Sequence, residues 1–164
     1  MLVREAELRD LPEILAIHNT AIADSTAIWD DEQVGLDERR AWLDDRRRNG
    51  FPVLVAEIDG RVAGYASYGS WRPKTGYRHT VENSVYVDAD FHRRGVATAL
   101  LTELLERAGQ AKIHAVVAGI ESTNTTSIAL HEKFGFRVVG VLPEVGTKFG
   151  RWLDLTLMQL TLEG

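Results

Sequence analysis

The chain has 164 residues, of which 45% are apolar and 26% charged, and this size and composition fit one water-soluble domain with a buried core. Its net charge of −5 argues against a general nucleic-acid surface, because duplex binding requires concentrated positive charge. There is no cysteine, no apolar run near the ~18 residues of a membrane span and no apolar signal-peptide core, so we expect a cytoplasmic protein without disulfides or cysteine metal sites.

The predicted elements mix strands and helices, beginning with a strand over residues 2–6. Asp10 is predicted to cap a helix, and a second helix is predicted over 36–48. Asp59-Gly60 favours a hairpin turn between two strands. The other predicted elements are strands over 51–58, 62–71, 80–87, 114–120, 136–142 and 152–162, and helices over 95–108 and 125–134. This order predicts one α/β domain over 1–164, with a mixed sheet that is antiparallel in its first half.

A basic segment with a glycine, His92-Arg93-Arg94-Gly95-Val96-Ala97, separates the strand over 80–87 from the next helix. The start of a helix has unpaired N–H groups and partial positive charge, and therefore holds phosphate well. Gly95 lets the backbone approach a ligand closely. Neither G-x-G-x-x-G nor G-x-x-x-x-G-K-[ST] occurs in the chain. By themselves these residues leave two interpretations open, an anion site and a basic helix start with a glycine turn.

The segment resembles the coenzyme A motif of the GNAT acetyltransferase superfamily, [Q/R]-x-x-G-x-[G/A]. Gly95 and Ala97 match it, while His92 replaces the first Gln or Arg. The stretch ESTNTTSIALHEKFGF at 121–136 resembles the second signature of the family, an Asn followed by a helix that ends in Gly-Phe. TAIWD, GYASYGSWRP, YRHTVENSVYV, AGIES and VGTKFGRWLDLTLMQL are similar to the phosphinothricin and methionine sulfoximine N-acetyltransferase branch. The resemblance implies a mostly antiparallel sheet flanked by helices, acetyl-CoA as co-substrate and no metal.

The same resemblance implies which residues bind acetyl-CoA. The backbone of one strand would pair with the pantetheine arm, at Val85, Tyr86 and Val87. The side chain of Asn124 would hydrogen-bond this arm. The pyrophosphate would lie against consecutive backbone amides, those of Arg93, Arg94, Gly95, Val96, Ala97 and Thr98. The anion expected at the helix start is then the pyrophosphate of acetyl-CoA.

Acetylating an amine requires a neutral amine, stabilisation of an oxyanion and protonation of the leaving thiolate. By resemblance, Glu82 accepts the proton of the amine, directly or through water. His131 occupies the position of a family tyrosine and would protonate the thiolate or help to accept the substrate proton. A backbone N–H, such as that of Val85, would steady the oxyanion. Without the family, an exposed carboxylate would be the favoured interpretation of Glu82 and a structural histidine that of His131; H-E-K-F does not match the zinc motif H-E-x-x-H.

The predicted loop over 70–79, SWRPKTGYRH, concentrates four basic side chains, Arg72, Lys74, Arg78 and His79. Such a connector is either simply solvated or, beside a coenzyme A site, a clamp for an anionic amine substrate. In the second case Arg72 or Arg78 would bind the carboxylate of an amino acid. A further cation, a hydroxyl and an accessible backbone would come from Lys74, Thr75 and Gly76.

Two other segments carry charge or aromatic groups near the expected site. The cluster Asp44-Asp45-Arg46-Arg47-Arg48 is predicted to be a solvated helix end. The stretch 145–152, VGTKFGRW, is predicted to be a loop that carries Lys148, Phe149 and Arg151. Because related enzymes place such segments near the substrate site of a homodimer, we expect a homodimer. Two tryptophans, Trp29 and Trp71, are either pocket walls or core residues.

These observations favour an N-acetyltransferase that acts on the α-amine of a small amino-acid-like compound. Methionine sulfoximine, methionine sulfone and phosphinothricin are the substrates that the resemblance implies, with detoxification as the role. One alternative is a GNAT enzyme that acetylates a protein N-terminus or a polyamine, and the basic loop speaks against the polyamine. The other is a coenzyme A-binding module without catalysis.

Overall fold

The computed structural model describes residues 1–163, which form seven strands and four α-helices. The strands are β1 (Leu2–Glu5), β2 (Val53–Ile58), β3 (Arg61–Ser70), β4 (Thr80–Val87), β5 (Ala115–Glu121), β6 (Arg137–Lys148) and β7 (Arg151–Thr161). The helices are α1 (Leu11–Asp24), α2 (Leu36–Arg48), α3 (Val96–Gln110) and α4 (Thr125–Lys133). None of the helices within residues 1–163 is long and apolar enough to cross a membrane.

All strands join one sheet in the order β1-β2-β3-β4-β5-β7-β6. Every neighbouring pair is antiparallel except β4 and β5, which run parallel. This parallel pair is short, because only Thr80–Glu82 align with Ala115–Val117 before the two strands separate. The arrangement confirms the predicted mixed, mostly antiparallel sheet, and the separation opens a cleft in its middle.

The helices cover both faces of the sheet. On one face, Leu100, Leu101 and Leu104 of α3 are buried against the sheet, and on the other Ile14 of α1 and Leu43 of α2 are buried. Successive side chains of a strand point to opposite faces, so each strand serves both layers. The two faces of β4 therefore differ. Val81, Val85 and Val87 pack in the α3 layer, whereas Tyr86 packs in the α1–α2 layer.

The predicted loop over 145–152 is wrong, because this stretch is the tip of the β6–β7 hairpin. Lys148 is the last residue of β6 and Arg151 the first of β7, so Phe149-Gly150 alone form the turn. Both turn residues have positive φ, 53° and 71°. Two glycines and a proline in β6 lower its strand propensity, and the sheet accommodates them with register shifts beside Gly140 and before Gly146. Pairing with β7 outweighs the local preference.

Candidate active site

The cleft between β4 and β5 has a volume of about 290 Å³. Its walls come from both strands, from α4 and from the segment after α1: Ala27, Glu82, Asn83, Ser84, Val85, Tyr86, Ala118, Gly119, Ile120, Glu121, Asn124, Ser127 and His131. Because β4 and β5 are unpaired beyond Glu82 and Val117, backbone groups of β4 face the cleft and can pair with an extended ligand. Three of the four sequence-predicted residues on β4, Glu82, Val85 and Tyr86, thus meet both of those on α4 and its cap in one place, whereas Val87 is not part of the wall.

Two carboxylates line the cleft, and their environments shift their pKa values in opposite directions. Glu82 is exposed at the edge of the cleft, but the surrounding protein removes part of the hydration of its carboxyl group, which raises its pKa, although Arg72 and Arg46 act against this. Burial alone would raise the pKa of Glu121 too, but hydrogen bonds from Thr123 and Thr26 outweigh it and lower the pKa. A carboxylate accepts a proton better at neutral pH when its pKa is raised. Glu82 is therefore the carboxylate suited to act as a base.

Gly119 of β5 keeps space for the Glu82 side chain. A Cβ atom added at Gly119 would lie 3.1 Å from Oε2 of Glu82 and 3.5 Å from a methyl carbon of Leu155. The first distance is shorter than an ordinary van der Waals contact. Gly119 consequently lets the carboxylate lie against the β5 backbone across the cleft.

The prediction of a solvated helix end over Asp44–Arg48 is wrong for Arg46. Its side chain is half-buried, its Nε donates to Oγ of Ser67 at 3.2 Å, and its guanidinium covers Gly69 so closely that a Cβ there would collide with it. Gly69 is paired with Glu82 in the β3–β4 ladder, which places the Arg46 charge near the carboxylate. A glycine inside a strand indicates a close approach of another group. Gly69 is therefore the feature of the sequence that could have indicated the position of Arg46.

His131 is buried on α4 and both of its ring nitrogens are occupied. Nδ1 lies 2.8 Å from the carbonyl oxygen of Ser127, and Nε2 lies 3.0 Å from Nδ2 of Asn83. A carbonyl only accepts, so Nδ1 carries the proton and Nε2 accepts from the Asn83 amide. Burial lowers the pKa of His131, and the Phe136 ring meets it edge-on at 4.9 Å. The ring is neutral in this arrangement.

The start of α3 has the geometry of an anion site. Arg93 and Gly95 have positive φ, 64° and 76°, and the helix begins directly afterwards at Val96. The exposed Arg94 guanidinium lies 5.4 Å from the centre of the Phe91 ring. The first amides of α3 have no partner within the helix and carry partial positive charge. The predicted run of pyrophosphate-binding amides over 93–98 lies at this end of α3.

Asn124 caps α4 and also lines the cleft. Its Oδ1 accepts from the backbone N–H of Ser127 at 3.1 Å, which satisfies one free amide of the helix start. Its NH₂ group has a donor for another partner. The residue thus holds the helix in place and presents a polar group to the cleft.

The loop after β3 is exposed, and its predicted substrate-binding residues make different contacts. The Arg72 guanidinium lies 4.6 Å from the centre of the Trp71 ring, and its charge acts on Glu82. Thr75 and Gly76 form a short 3₁₀ turn, and Arg78 donates to the Thr75 carbonyl at 3.0 Å. The predicted substrate-binding residues are exposed and lie outside the cleft wall: Arg72, Lys74, Thr75, Gly76 and Arg78. Of this set, only Arg72 contributes to the pKa shift of Glu82.

Lys148, expected in a loop, is instead buried beneath the segment that follows α1. Its Nζ donates to the carbonyl oxygens of Ile22, Ser25 and Ile28 at 2.6, 2.6 and 2.5 Å. Beside it, the Trp29 ring packs on Gly146, where a Cβ would collide with the ring. Trp29 is a packing residue of this segment, and Ala27 supplies the cleft wall. The sequence analysis thus assigned Arg46 and Lys148 to the wrong environments, and it missed Asn83.

Among residues 1–163 no group of three or more histidines and carboxylates could hold a metal ion.

The Acetyltransferase (GNAT) family model matches residues 14–136. The chain is 53% identical to the L-methionine sulfoximine/L-methionine sulfone acetyltransferase of Pseudomonas aeruginosa, over 98% of this chain and 94% of that protein.

Two solved structures share the fold along the chain. A ribosomal-protein-alanine N-acetyltransferase from Brucella melitensis has 51% identity and a TM-score of 0.98, covering 99% of this chain and 100% of that one. A phosphinothricin acetyltransferase from Sinorhizobium meliloti, solved with acetyl-CoA, has 33% identity and a TM-score of 0.96, covering 98% and 88%. The cleft, the amides at the start of α3 and these matches agree: the chain belongs to the GNAT family of acetyl-CoA-dependent N-acetyltransferases, in the branch of the methionine sulfoximine and phosphinothricin enzymes.

Proposed function

We propose that the chain transfers the acetyl group of acetyl-CoA to the α-amine of a small amino-acid-like compound, of the methionine sulfoximine, methionine sulfone and phosphinothricin class. The observation that carries the proposal is the pairing of a base with cations at one cleft. Glu82 lines the cleft and has a raised pKa, and the charges of Arg72 and Arg46 act on it, Arg46 by covering Gly69, the ladder partner of Glu82. The names of the related enzymes support the substrate class, and detoxification of such compounds is the proposed role.

Acetyl-CoA would lie along the open edge of β4 and end at α3. The backbone of Val85, Tyr86 and Val87 supports this, because these residues pair with β3 on one side and with no strand on the cleft side. Asn124 would donate to the pantetheine arm. The amides of Arg93, Arg94, Gly95, Val96, Ala97 and Thr98 would hold the pyrophosphate at the helix start. When bound, acetyl-CoA supplies the activated acetyl group as a thioester.

In the proposed mechanism two side chains handle protons. Glu82 removes a proton from the substrate ammonium group, directly or through water, since a substrate amine is mostly protonated at neutral pH. The Val85 N–H steadies the oxyanion. His131, neutral in its resting state, takes up the second amine proton and returns it to the leaving sulfur. No covalent intermediate with the protein is needed.

The loop after β3 would recognise the carboxylate of the substrate. Arg72 is the proposed main contact, because it is the cation of this loop whose charge acts on the pKa of Glu82. The further proposed contacts are those of Lys74, Thr75, Gly76 and Arg78, which lie on the same exposed loop. A guanidinium binds a carboxylate with two parallel hydrogen bonds, which fixes the orientation of an amino acid.

A second candidate is acetylation of a protein N-terminus, which the name of the Brucella melitensis neighbour favours. An N-terminal residue within a polypeptide has an amide in place of the free carboxylate. Arg72 would then lose its charged partner. The cationic loop therefore favours a free amino acid.

The test measures release of coenzyme A by the purified protein with acetyl-CoA and a panel of amines. The panel contains methionine sulfoximine, methionine sulfone, phosphinothricin, ordinary amino acids, a polyamine and a peptide with N-terminal alanine. We expect saturable turnover with the first three, and a strong reduction of that turnover in a Glu82→Gln control. Turnover with the peptide alone would show that the substrate is a protein N-terminus and not a small amino-acid-like compound. Binding of acetyl-CoA without turnover of any amine would indicate a coenzyme A-binding module without catalysis.

We also propose a homodimer formed through β6. Apolar side chains are exposed along this strand and the adjoining hairpin: Val138, Val139, Val141, Leu142, Val145, Phe149 and Trp152. A large exposed apolar surface supports an interface. Light scattering should give twice the mass of the chain, and Val141→Lys should shift it toward the single chain. The cytoplasmic location stays a prediction, which cell fractionation would test.

A further inference from the structure

Asn83 is buried between β4 and α4 with one of its polar atoms unpaired. The residue is 8% exposed and lines the cleft. Its Nδ2 donates to Nε2 of His131, while its Oδ1 is a buried side-chain oxygen with no hydrogen-bond partner. Among residues 1–163 it is the sole buried side-chain nitrogen or oxygen in this condition. Burying an unpaired acceptor costs free energy, so such an atom calls for a functional reason.

The contact with His131 limits what the ring can do in this state. Nδ1–H donates to the Ser127 carbonyl, and the lone pair of Nε2 is held by the Asn83 amide. A proton can be added at Nε2 only if the NH₂ group of Asn83 moves away, because two donors cannot face each other. A half-turn of the carboxamide brings Oδ1 to the same place, and Oδ1 then accepts from Nε2–H.

We propose that Asn83 is a positioning residue whose carboxamide turns with the protonation state of His131. Its NH₂ group holds the neutral ring, and its carbonyl oxygen holds the ring after Nε2 has taken up a proton. The turn pairs the buried oxygen that is unpaired at rest. This inference rests on the proposed role of His131 as the carrier of the second amine proton.

The turn fits the balance of the transfer. As the bond between the amine nitrogen and the acetyl carbon forms, the turning carboxamide leaves Nε2 open, and one proton passes from that nitrogen to the lone pair of Nε2 before Oδ1 arrives to accept from Nε2–H. As the bond between the acetyl carbon and sulfur breaks, the carboxamide turns off Nε2 again and the same proton passes to sulfur, giving the thiol of coenzyme A. The ring is then neutral again and Asn83 returns to its resting orientation. The proton removed earlier by Glu82 is released to solvent.

Several other groups line the same cleft as His131 or follow it in the chain. Those that can titrate are Glu82 and Tyr86 on β4, Glu121 on β5, and Glu132 and Lys133 on α4. Burial raises the pKa of Tyr86, which therefore stays neutral at physiological pH. All of these groups are unchanged in variants of Asn83. A difference in the pKa of His131 between such variants thus reports the contact with residue 83.

Asn83→Leu distinguishes a turning carboxamide from a fixed one by the direction of a pKa change. A fixed amide stabilises only the neutral ring, so its removal would raise the pKa of His131. A turning amide also accepts from the charged ring, and hydrogen bonds from charged donors are about twice as strong as neutral ones. Its removal should therefore lower the pKa of His131.

The experiment follows the ¹⁵N signals of the His131 ring in the full-length protein across pH 4–9, assigned with a His131→Gln variant. We expect the wild-type ring at neutral pH to carry its proton on Nδ1. The pKa in Asn83→Leu should fall by about one unit, a tenfold change in the protonation equilibrium, and Asn83→Asp should raise it. Asn83→Ala repeats the test if the leucine variant does not fold.

A higher pKa of His131 in the leucine and alanine variants would overturn the proposal, as would a wild-type ring protonated on Nε2 at neutral pH. The measurement needs no turnover. Failure of this inference therefore leaves the acetyltransferase assays standing, and failure of the amine panel leaves the ring titration interpretable.

Discussion

Replacing Lys148 with methionine tests how the hairpin supports the wall of the site. Methionine keeps an unbranched apolar chain of similar length and removes the ammonium group. The three carbonyl oxygens of Ile22, Ser25 and Ile28 then lose their common donor. The first of these residues is buried in α1, and the other two are half-buried in the segment that follows it.

The expected loss of stability follows from two opposing contributions. A hydrogen bond that involves a charged group contributes about 1.5–3 kcal/mol, so three such bonds together are substantial. Burial lowers the pKa of Lys148, however, which shows that loss of hydration of the ammonium group opposes these bonds. Water can also reach the two half-buried carbonyls in the variant. We therefore expect a net loss of about 2–3 kcal/mol, less than the sum of the bonds.

Thermal unfolding followed by circular dichroism measures this loss. For a chain of this length about 2–3 kcal/mol corresponds to a fall in Tm of roughly 5–10 °C. The KM for the amine should also rise, because Ala27 of the same segment lines the cleft, while the KM for acetyl-CoA should change little. Lys133→Met, at an exposed lysine, is the control. A Tm equal to that of this control would refute the reasoning.

Three further substitutions probe the cleft. Glu82→Gln should lower kcat by about 10²–10⁴-fold. Because partial loss of hydration raises the pKa of Glu82 in the folded state, the variant should also be more stable than wild type at pH 7. This difference in stability should vanish in acid, where Glu82 is protonated in both the folded and the unfolded state. Equal kcat would remove Glu82 as the base. Arg72→Ala should raise the KM for a methionine sulfone substrate about tenfold and leave that for acetyl-CoA unchanged, and an unaltered amine KM would exclude the clamp. Gly119→Ala places a Cβ 3.1 Å from the Glu82 carboxylate and should slow turnover several-fold, whereas Gly109→Ala, with nothing within 4 Å, should not; equal effects would show that the space beside Glu82 is unimportant.

The elements of the fold could be predicted because their signals are local. The second helix and the central strand occupy Leu36–Arg48 and Thr80–Val87, as predicted. The Asp59-Gly60 turn lies between β2 and β3, with φ of 51° and 76°. The glycine turn at the start of α3 was predictable for the same reason, since Gly95 and the helix start are adjacent in the chain. Periodicity, caps and turn residues each act over a few positions.

The polar groups that organise the cleft have partners far away in the chain, so no local pattern shows them. Lys148 meets Ile22 across 126 residues, and Asn83 meets His131 across 48. A single lysine, arginine or asparagine is expected at the surface, because burying it without a partner costs free energy. This expectation led to the wrong environments for Arg46 and Lys148.

Glycines carry the trace that such burial leaves in the sequence. Gly69 makes room for the Arg46 guanidinium, Gly119 for the Glu82 carboxylate and Gly146 for the Trp29 ring. Each lies inside a strand, where a glycine weakens the strand unless another group needs its space. A strand glycine thus indicates that a large group approaches, and the fold is required to identify which one. At Gly69 and Gly119 the approaching groups belong to the same cluster of opposite charges, so these two small residues on different strands mark the place where the proposed base is held.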